Sequence, residues 1–132
     1  MKMTPQKERS KKIKVLDKLF SLYIRSRSNW RCERCNKDFS ENKGQLHCAH
    51  IISKGVSPLL LRFEERNAIA LCYFDHIHWW HHQSTETKEW FIGKFGKERM
   101  NWLEKNARVS GRGLNLDYVW LELENKIKEL TF

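Results

Sequence analysis

Cysteine and histidine are confined to one central window of this chain. All four cysteines and all six histidines lie between Cys32 and His82. The window opens with CERC at residues 32–35, continues through LHCAHI at residues 46–51 and closes with LCYFDH at residues 71–76. Thiolate, imidazole and carboxylate groups are the ligands that zinc and other transition metals take in proteins. The window therefore predicts metal chemistry.

Two short turns predict a structural zinc site. Cys32 and Cys35 form the first pair of ligands, and Cys72 and Asp75 repeat their spacing. A carboxylate oxygen can complete a tetrahedral zinc site, so we expect Asp75 to be the fourth ligand. Cys48, the remaining cysteine, is the alternative. Such a site would also stabilise the fold, because binding of a structural zinc contributes folding free energy.

Further polar residues in the window suit a hydrolytic site. His50 lies near the end of an apolar run, and imidazole is well suited to activate water near neutral pH. Asn67 begins the next apolar run, where it would either accept the proton on the far imidazole nitrogen or fix the loop. One or two histidines of the following segment would hold a divalent cation against a phosphate. These candidates are His76, His78, His81 and His82.

Charge and composition point to a nucleic-acid partner. The chain has 132 residues and a formal net charge of +9, which favours binding to a polyanion. No segment approaches the roughly 20 apolar residues of a membrane span, and the basic start lacks the apolar stretch of a secretory signal. We therefore expect DNA as the partner, no membrane association and a cytoplasmic location, where cysteines bind metal more often than they form disulfides.

The elements that must position these groups are mainly helical. Apolar residues at helical spacing predict one long basic helix before the window and further helices after it: residues 4–29, 84–95, 97–106 and 115–130. Residues 46–52 and 67–72 predict two strands, joined by a basic-tipped loop, and residues 75–82 predict a helix in which His78 and His82 share a face. The expected fold is α+β, mainly α-helical, in a single domain spanning residues 1–132. Its parts are a basic helix (1–29), a zinc-knuckle core (30–83) and C-terminal helices (84–132).

This order of residues resembles the HNH endonucleases, the ββα-metal family, and in particular small phage-encoded members. The resemblance covers residues 30–82 and rests on the CxxC knuckle, the CAHI motif, the middle asparagine and the LCYFDH turn. It implies a ββα-metal motif that hydrolyses DNA phosphodiester bonds by nicking or by double-strand cleavage. It further implies a phage role in DNA packaging or recombination, in the host cytoplasm, as a monomer or weak dimer.

The resemblance also implies a role for each matching residue. His50 would be the general base, Asn67 would orient it or its loop, and His76 would bind the catalytic cation, Mg²⁺, Mn²⁺ or another divalent ion. Ala49 departs from the family, because this position often supplies a metal ligand. The missing ligand would then come from one of the other histidines: His47, His78, His81 or His82.

The predicted loop between the strands would carry DNA-binding residues. Lys54, Arg62 and Arg66 lie between the strand of the base and the strand of the asparagine, where DNA must approach His50. The lysine-rich face of the first helix is the alternative DNA-binding surface. The alternative to an endonuclease is a zinc-stabilised DNA-binding module without hydrolysis. Two departures from the family favour it: Ala49, and Asp75 in place of the fourth knuckle cysteine.

Overall fold

A computed structural model describes residues 2–53, 59–111 and 113–130. The first helix, α1 (Pro5–Arg27), begins where the sequence predicts it, because the Thr4 hydroxyl accepts the backbone N–H of Lys7 at 3.3 Å and Pro5 occupies the first position. The helix ends two residues earlier than predicted, since Asn29 and Trp30 adopt left-handed φ angles of 57° and 59°.

The two predicted strands form an antiparallel hairpin. Strand β1 (Leu46–His50) pairs with β2 (Ala68–Cys72), with Leu46 opposite Cys72 and His50 opposite Ala68. Each strand is shorter than predicted by one or two residues, but both are confirmed. Every residue of β2 is buried, so this strand forms the centre of the fold, and β1 places its polar side chains at the edge.

The connection between the strands is more structured than the predicted loop. It contains a helical turn, α2 (Leu59–Arg62), and a 3₁₀ turn (Glu65–Asn67). The leucine run 59–61 favours helix, and Leu61 is fully buried. Lys54, one of the three predicted DNA contacts, lies outside the described residues.

The segment after β2 is helical but is not the regular α-helix that we predicted. It is π-helical over Phe74–Trp79 and then 3₁₀ over Trp80–His82. The backbone N–H of Trp80 bonds the carbonyl of Asp75, five residues earlier, which is the spacing of a π-helix. The indole of Trp80 is buried and donates to the carbonyl of His50 at 3.1 Å. The prediction that His78 and His82 share a face assumed a regular α-helix, which this segment is not.

Three helices complete the chain and confirm the predicted ones: α3 (Thr85–Phe95), α4 (Lys97–Asn106) and α5 (Leu116–Leu130). Ser84 caps α3 through its hydroxyl, and Asn115 caps α5 by accepting the N–H of Tyr118 at 3.1 Å. On α5, Trp120 is exposed although its spacing places it with the apolar face. Gly111, between α4 and α5, packs so closely on α2 that a Cβ atom there would lie 2.6 Å from the Leu60 nitrogen.

The buried side chains of all these elements form one hydrophobic cluster. It includes Phe20 of α1, Leu71 of β2, Phe91 of α3 and Leu123 of α5. The fold is thus α+β and mainly helical, with one two-stranded sheet among the described residues. Within those residues, no helix is both long enough and apolar enough to span a membrane.

Candidate functional site: a thiol cluster and a histidine groove

The four predicted zinc ligands lie together. The ligand atoms of Cys32, Cys35, Cys72 and Asp75 are all within 4.8 Å of one another. The Oδ2 atom of Asp75 lies 3.2 Å from the Cys32 sulfur and 3.4 Å from the Cys72 sulfur. In a tetrahedral site with ordinary zinc bond lengths, a sulfur and an oxygen ligand are about 3.5 Å apart. The cluster is therefore compatible with a zinc site.

The two turns that carry these ligands have the same local geometry. The backbone N–H of Cys35 points at the Cys32 sulfur with an N to S distance of 3.5 Å, and the N–H of Asp75 points at the Cys72 sulfur at 3.5 Å. Asp75 therefore takes the place in the second turn that Cys35 takes in the first. Cys48, the alternative fourth ligand, lines a separate groove.

Arg34 holds the carboxylate of Asp75 from the other side. Its Nη1 atom lies 2.7 Å from Asp75 Oδ1, and its guanidinium lies 3.8 Å from the centre of the Trp79 ring. Burial opposes ionisation of Asp75, but the hydrogen bonds from Arg34 and from the two thiols hold its pKa below the ordinary value. An ionised Asp75 thus presents one oxygen to the thiols and the other to Arg34.

The thiols would have to lose protons when a metal binds. Burial raises the pKa of Cys32 to about 12 and also raises the pKa of Cys72. Since thiolate is the form that binds zinc, zinc binding at neutral pH would release protons. Asp75, whose pKa its neighbours lower, would bind as the carboxylate without releasing a proton.

The first turn is fixed to the sheet next to the second turn. Glu33 donates its backbone N–H to the carbonyl of Ala70 at 2.8 Å, and its carboxylate accepts the Ala70 N–H at 2.6 Å. Ala70 lies two residues before Cys72 on β2. This pair of bonds therefore sets the position of Cys32 relative to Cys72.

A groove of about 390 Å³ lies between α1 and the hairpin. Its α1 side carries Asp17, Ser21 and Arg25, and its opposite side includes His47, His50 and His76. His50 and His76 were predicted to share one site, and both line this groove. The α1 residues were not among the predicted site residues, although their spacing of four marks a polar stripe on one helical face.

The hydrogen bond of His50 determines which of its nitrogens carries the proton. The Nε2 atom lies 3.0 Å from the carbonyl oxygen of Arg62. A carbonyl only accepts hydrogen bonds, so Nε2 carries a proton, and in the neutral ring the lone pair is on Nδ1. Packing of the ring against Phe20, with centroids 5.6 Å apart, further limits its orientation. His50 therefore has the tautomer in which Nδ1 is the basic atom.

Asn67 fixes the loop that carries the partner of His50. Its side-chain nitrogen donates to the carbonyls of Ile52 and Leu61 at 3.0 Å each, and its oxygen accepts the Ile52 N–H at 2.8 Å. The residue is fully buried. Of the two roles considered for Asn67, these bonds correspond to fixing the loop, and the far nitrogen of His50 bonds Arg62 instead.

Three histidines form a chain of contacts beside His50. The Nδ1 atoms of His47 and His76 are 2.9 Å apart, and the Nε2 atoms of His76 and His81 are 3.1 Å apart. Burial, followed by the neighbouring histidines, lowers the pKa of His76 to about 4, and burial also lowers the pKa of His47. Both are therefore neutral at pH 7, which is the form that binds metals.

The pair His47 and His76 has a spacing suited to one cation. Two nitrogen ligands at about 2.1 Å from a metal and at right angles to each other are about 3.0 Å apart. Ala49 is buried in the core, and its methyl side chain has no ligand atom. Of the four histidines considered for the missing ligand, His47 lines the groove and contacts His76 through Nδ1, and the exposed His81 contacts His76 through Nε2. His78 and His82 are exposed.

Two of the predicted DNA contacts already have carboxylate partners. The Arg62 guanidinium binds both oxygens of Asp17, at 2.8 and 2.6 Å, and this contact raises its pKa. Arg66 pairs with Glu64 at 2.8 Å and lies 3.4 Å from the centre of the Trp102 ring. Lys54, the third predicted contact, is not among the described residues.

Comparison of the chain with protein-family models, with curated proteins and with solved structures finds no match. The site is therefore interpreted from its own residues.

Proposed function

We propose that the protein is a metal-dependent endonuclease of the ββα-metal (HNH) type that hydrolyses DNA phosphodiester bonds. The observation that carries this proposal is the groove in which His50, at the end of β1, lies beside His76, at the start of the helical segment after β2. A hairpin followed by a helical turn is the arrangement that the resemblance implies. The net charge of +9 favours the approach of DNA.

His50 would act as the general base through Nδ1. Its Nε2–H bonds the Arg62 carbonyl, so the ring is oriented with its lone pair on the other nitrogen. Asn67 supports this arrangement by fixing Leu61, the neighbour of Arg62, to Ile52. A positioned base accepts the proton of the attacking water as the new oxygen–phosphorus bond forms, and contributes about 10²–10⁴-fold to the rate.

His76 and His47 would hold the catalytic divalent cation through Nδ1. Such a cation, Mg²⁺ or Mn²⁺, would stabilise the charge that develops on the phosphate and on the leaving oxygen. The separation of 2.9 Å between the two nitrogens and the neutral state of both rings support this assignment. With two protein ligands, the cation would keep more bound water and would bind weakly.

The thiol cluster would bind a structural Zn²⁺, and this metal would position the helical segment that carries His76. Asp75 belongs to the cluster, and the next residue is His76. Zinc would thus fix the first turn of the helical segment against the knuckle. Loss of this metal would disturb the position of His76 without removing any catalytic group.

Cationic side chains of α1 would bind the DNA phosphates. Arg25 lines the groove, and the outer face of α1 carries further exposed cations: Lys7, Lys11, Lys14 and Lys18. Arg62 would bind phosphate only in competition with Asp17, because the two already form a bidentate pair. The exposed lysines of α1 therefore support the alternative DNA-binding surface, the lysine-rich face of the first helix. That face would bind DNA together with the predicted loop residues.

Incubation of zinc-loaded protein with supercoiled plasmid tests the proposal. We expect relaxed plasmid with Mn²⁺ or Mg²⁺, no cleavage with EDTA, and recovery when the divalent cation is restored. Binding of plasmid without cleavage under every metal condition would favour the second candidate, a zinc-stabilised DNA-binding module. The specific observation that favours this second candidate is Ala49, whose methyl side chain leaves no metal ligand next to His50 on β1.

A further inference from the structure

Two aromatic residues in the second ligand turn are exposed to solvent. Tyr73 and Phe74 lie between Cys72 and Asp75, and 48% and 65% of their surfaces are accessible. Phe74 is the most exposed large hydrophobic residue in the part of the chain that the structure describes. Neither the thiol cluster nor the hydrophobic core therefore buries much of these two rings. Large apolar side chains that are exposed to solvent commonly mark a binding surface.

His78 joins the two rings into one aromatic patch, defined by Tyr73, Phe74 and His78. The His78 ring centroid lies 5.5 Å from that of Tyr73 and 5.5 Å from that of Phe74. Residue 78 is itself exposed. These contacts preorganise a surface of three rings, so a flat ligand would find them already close together.

The aromatic patch is continuous with the histidine groove. His47 packs edge-on against Tyr73, with centroids 5.9 Å apart, and the same His47 contacts His76 through Nδ1. A ligand on the patch would therefore lie next to a phosphate in the groove. Arg25, on the α1 side of that groove, supplies a cation for the phosphate.

We propose that this aromatic patch binds an unpaired nucleobase of DNA, so that the preferred substrate has single-stranded nucleotides beside the bond to be cut. This inference rests on the proposed endonuclease function and names its substrate class. Nucleobases stack on exposed aromatic rings in proteins that bind single strands, beside cationic groups that track the backbone. In a duplex the base faces are already stacked on their neighbours, so only an unpaired or displaced base can occupy the patch.

Equilibrium binding with zinc-loaded protein, in the absence of any catalytic cation, tests the inference. The probes are a labelled oligothymidylate, an abasic oligonucleotide of equal length and charge, and a duplex. We expect the oligothymidylate to bind at least about tenfold more tightly than the abasic strand, because only the former can stack. Equal affinity for the two strands would overturn the proposal, since it would leave electrostatics as the whole interaction.

Substitutions locate the effect. The double variant Tyr73→Ala/Phe74→Ala should bind oligothymidylate at least about tenfold more weakly and bind the abasic strand as the parent does. The ring-preserving variant Tyr73→Phe/Phe74→Tyr should retain the preference, which guards against a folding defect in the alanine variant. Tyr118→Ala is the matched control, because Tyr118 is 58% exposed on α5. Unchanged binding by the alanine variant, or an equal loss in Tyr118→Ala, would contradict the assignment.

The outcomes separate this inference from the proposed function. Plasmid cleavage without a preference for bases over abasic sites would keep the endonuclease and reject the patch as a base-binding surface. A preference that depends on Tyr73 and Phe74, in a protein that cleaves no DNA, would keep the patch and reject the endonuclease. Sedimentation in which the alanine variant converts a dimer to a monomer, with no base preference in the parent, would assign the patch to self-association and overturn the proposal.

Discussion

Replacement of Arg34 by glutamine should weaken zinc binding through its effect on Asp75. Arg34 binds the carboxylate oxygen that does not face the thiols, at 2.7 Å, and three thiolates with one carboxylate would leave a Zn²⁺ site with excess negative charge. Removal of a partner of this kind typically costs 10–100-fold in metal affinity. About a third of the Arg34 side chain is exposed, so water partly replaces the lost bond, and we expect an increase of about tenfold in the Kd for zinc.

A double-mutant cycle shows whether the effect passes through the carboxylate. Asp75→Cys converts the fourth ligand to a thiolate, which has no second oxygen for Arg34 to bind. In that background, Arg34→Gln should change the zinc Kd by much less, giving a coupling free energy of about 1 kcal/mol. Competition with a chromophoric chelator measures all four Kd values.

Arg31→Gln is the control for this cycle. Arg31 lies on the same knuckle and pairs with Asp38 at 3.6 Å, but both side chains are almost half exposed. Exposed pairs contribute little, so its zinc Kd should equal that of the parent. If Arg34→Gln binds zinc like the parent, or loses the same affinity in the Asp75→Cys background, the role of Arg34 in positioning Asp75 is refuted.

Three further predictions concern the metal, the DNA surface and the packing of α1. Cys35→Ser should lose bound zinc and melt at a lower temperature, whereas Cys48→Ser should keep zinc, as measured by metal analysis and thermal unfolding. Loss of zinc from Cys48→Ser but not from Cys35→Ser would contradict the assignment of the ligands. Asp17→Asn should strengthen DNA binding and steepen its salt dependence by about one ion, because it releases Arg62 for phosphate; weaker binding in a salt titration would oppose this. Burial and then Glu65 raise the pKa of Tyr23 to about 12, so Tyr23 stabilises the fold below its unfolded pKa near 10 and loses this contribution as pH rises towards 12. Tyr23→Phe should therefore flatten the alkaline fall in stability, and an unchanged slope in denaturation experiments would contradict the assignment.

Helix limits were predictable because the forces that set them are local. Thr4, Ser84 and Asn115 each accept a backbone N–H three residues ahead, and such a cap is visible within one turn of sequence. The antiparallel strands were predictable for a similar reason, because each coincides with a short apolar run that is visible in the sequence. The cluster of three cysteines and Asp75, which is compatible with zinc, followed from equal spacing in two turns, and the structure reproduces this spacing at Cys35 and Asp75.

What the sequence did not predict depends on contacts between distant segments. Arg62 pairs with Asp17, which is 45 residues away in the sequence, and Arg34 pairs with Asp75, which is 41 residues away. Neither pair produces a periodic pattern in the sequence, because each depends on how α1 or the knuckle packs on the hairpin. The π-helical segment is a further case. Trp80 is buried and bonds the carbonyl of His50, and the segment before it is a π-helix. The periodicity of apolar residues in the sequence does not distinguish a π-helix from an α-helix.

The rate of plasmid relaxation by the His50→Ala variant tests the central claim most directly. His82→Ala is the matched control, because His82 is exposed and does not line the groove. With Mn²⁺ present, we expect His50→Ala to cleave about 10²–10⁴-fold more slowly than the parent, while its zinc content and DNA affinity stay those of the parent and His82→Ala cleaves at the parental rate. Cleavage by His50→Ala at the parental rate would contradict the assignment of the general base and the proposed endonuclease mechanism with it.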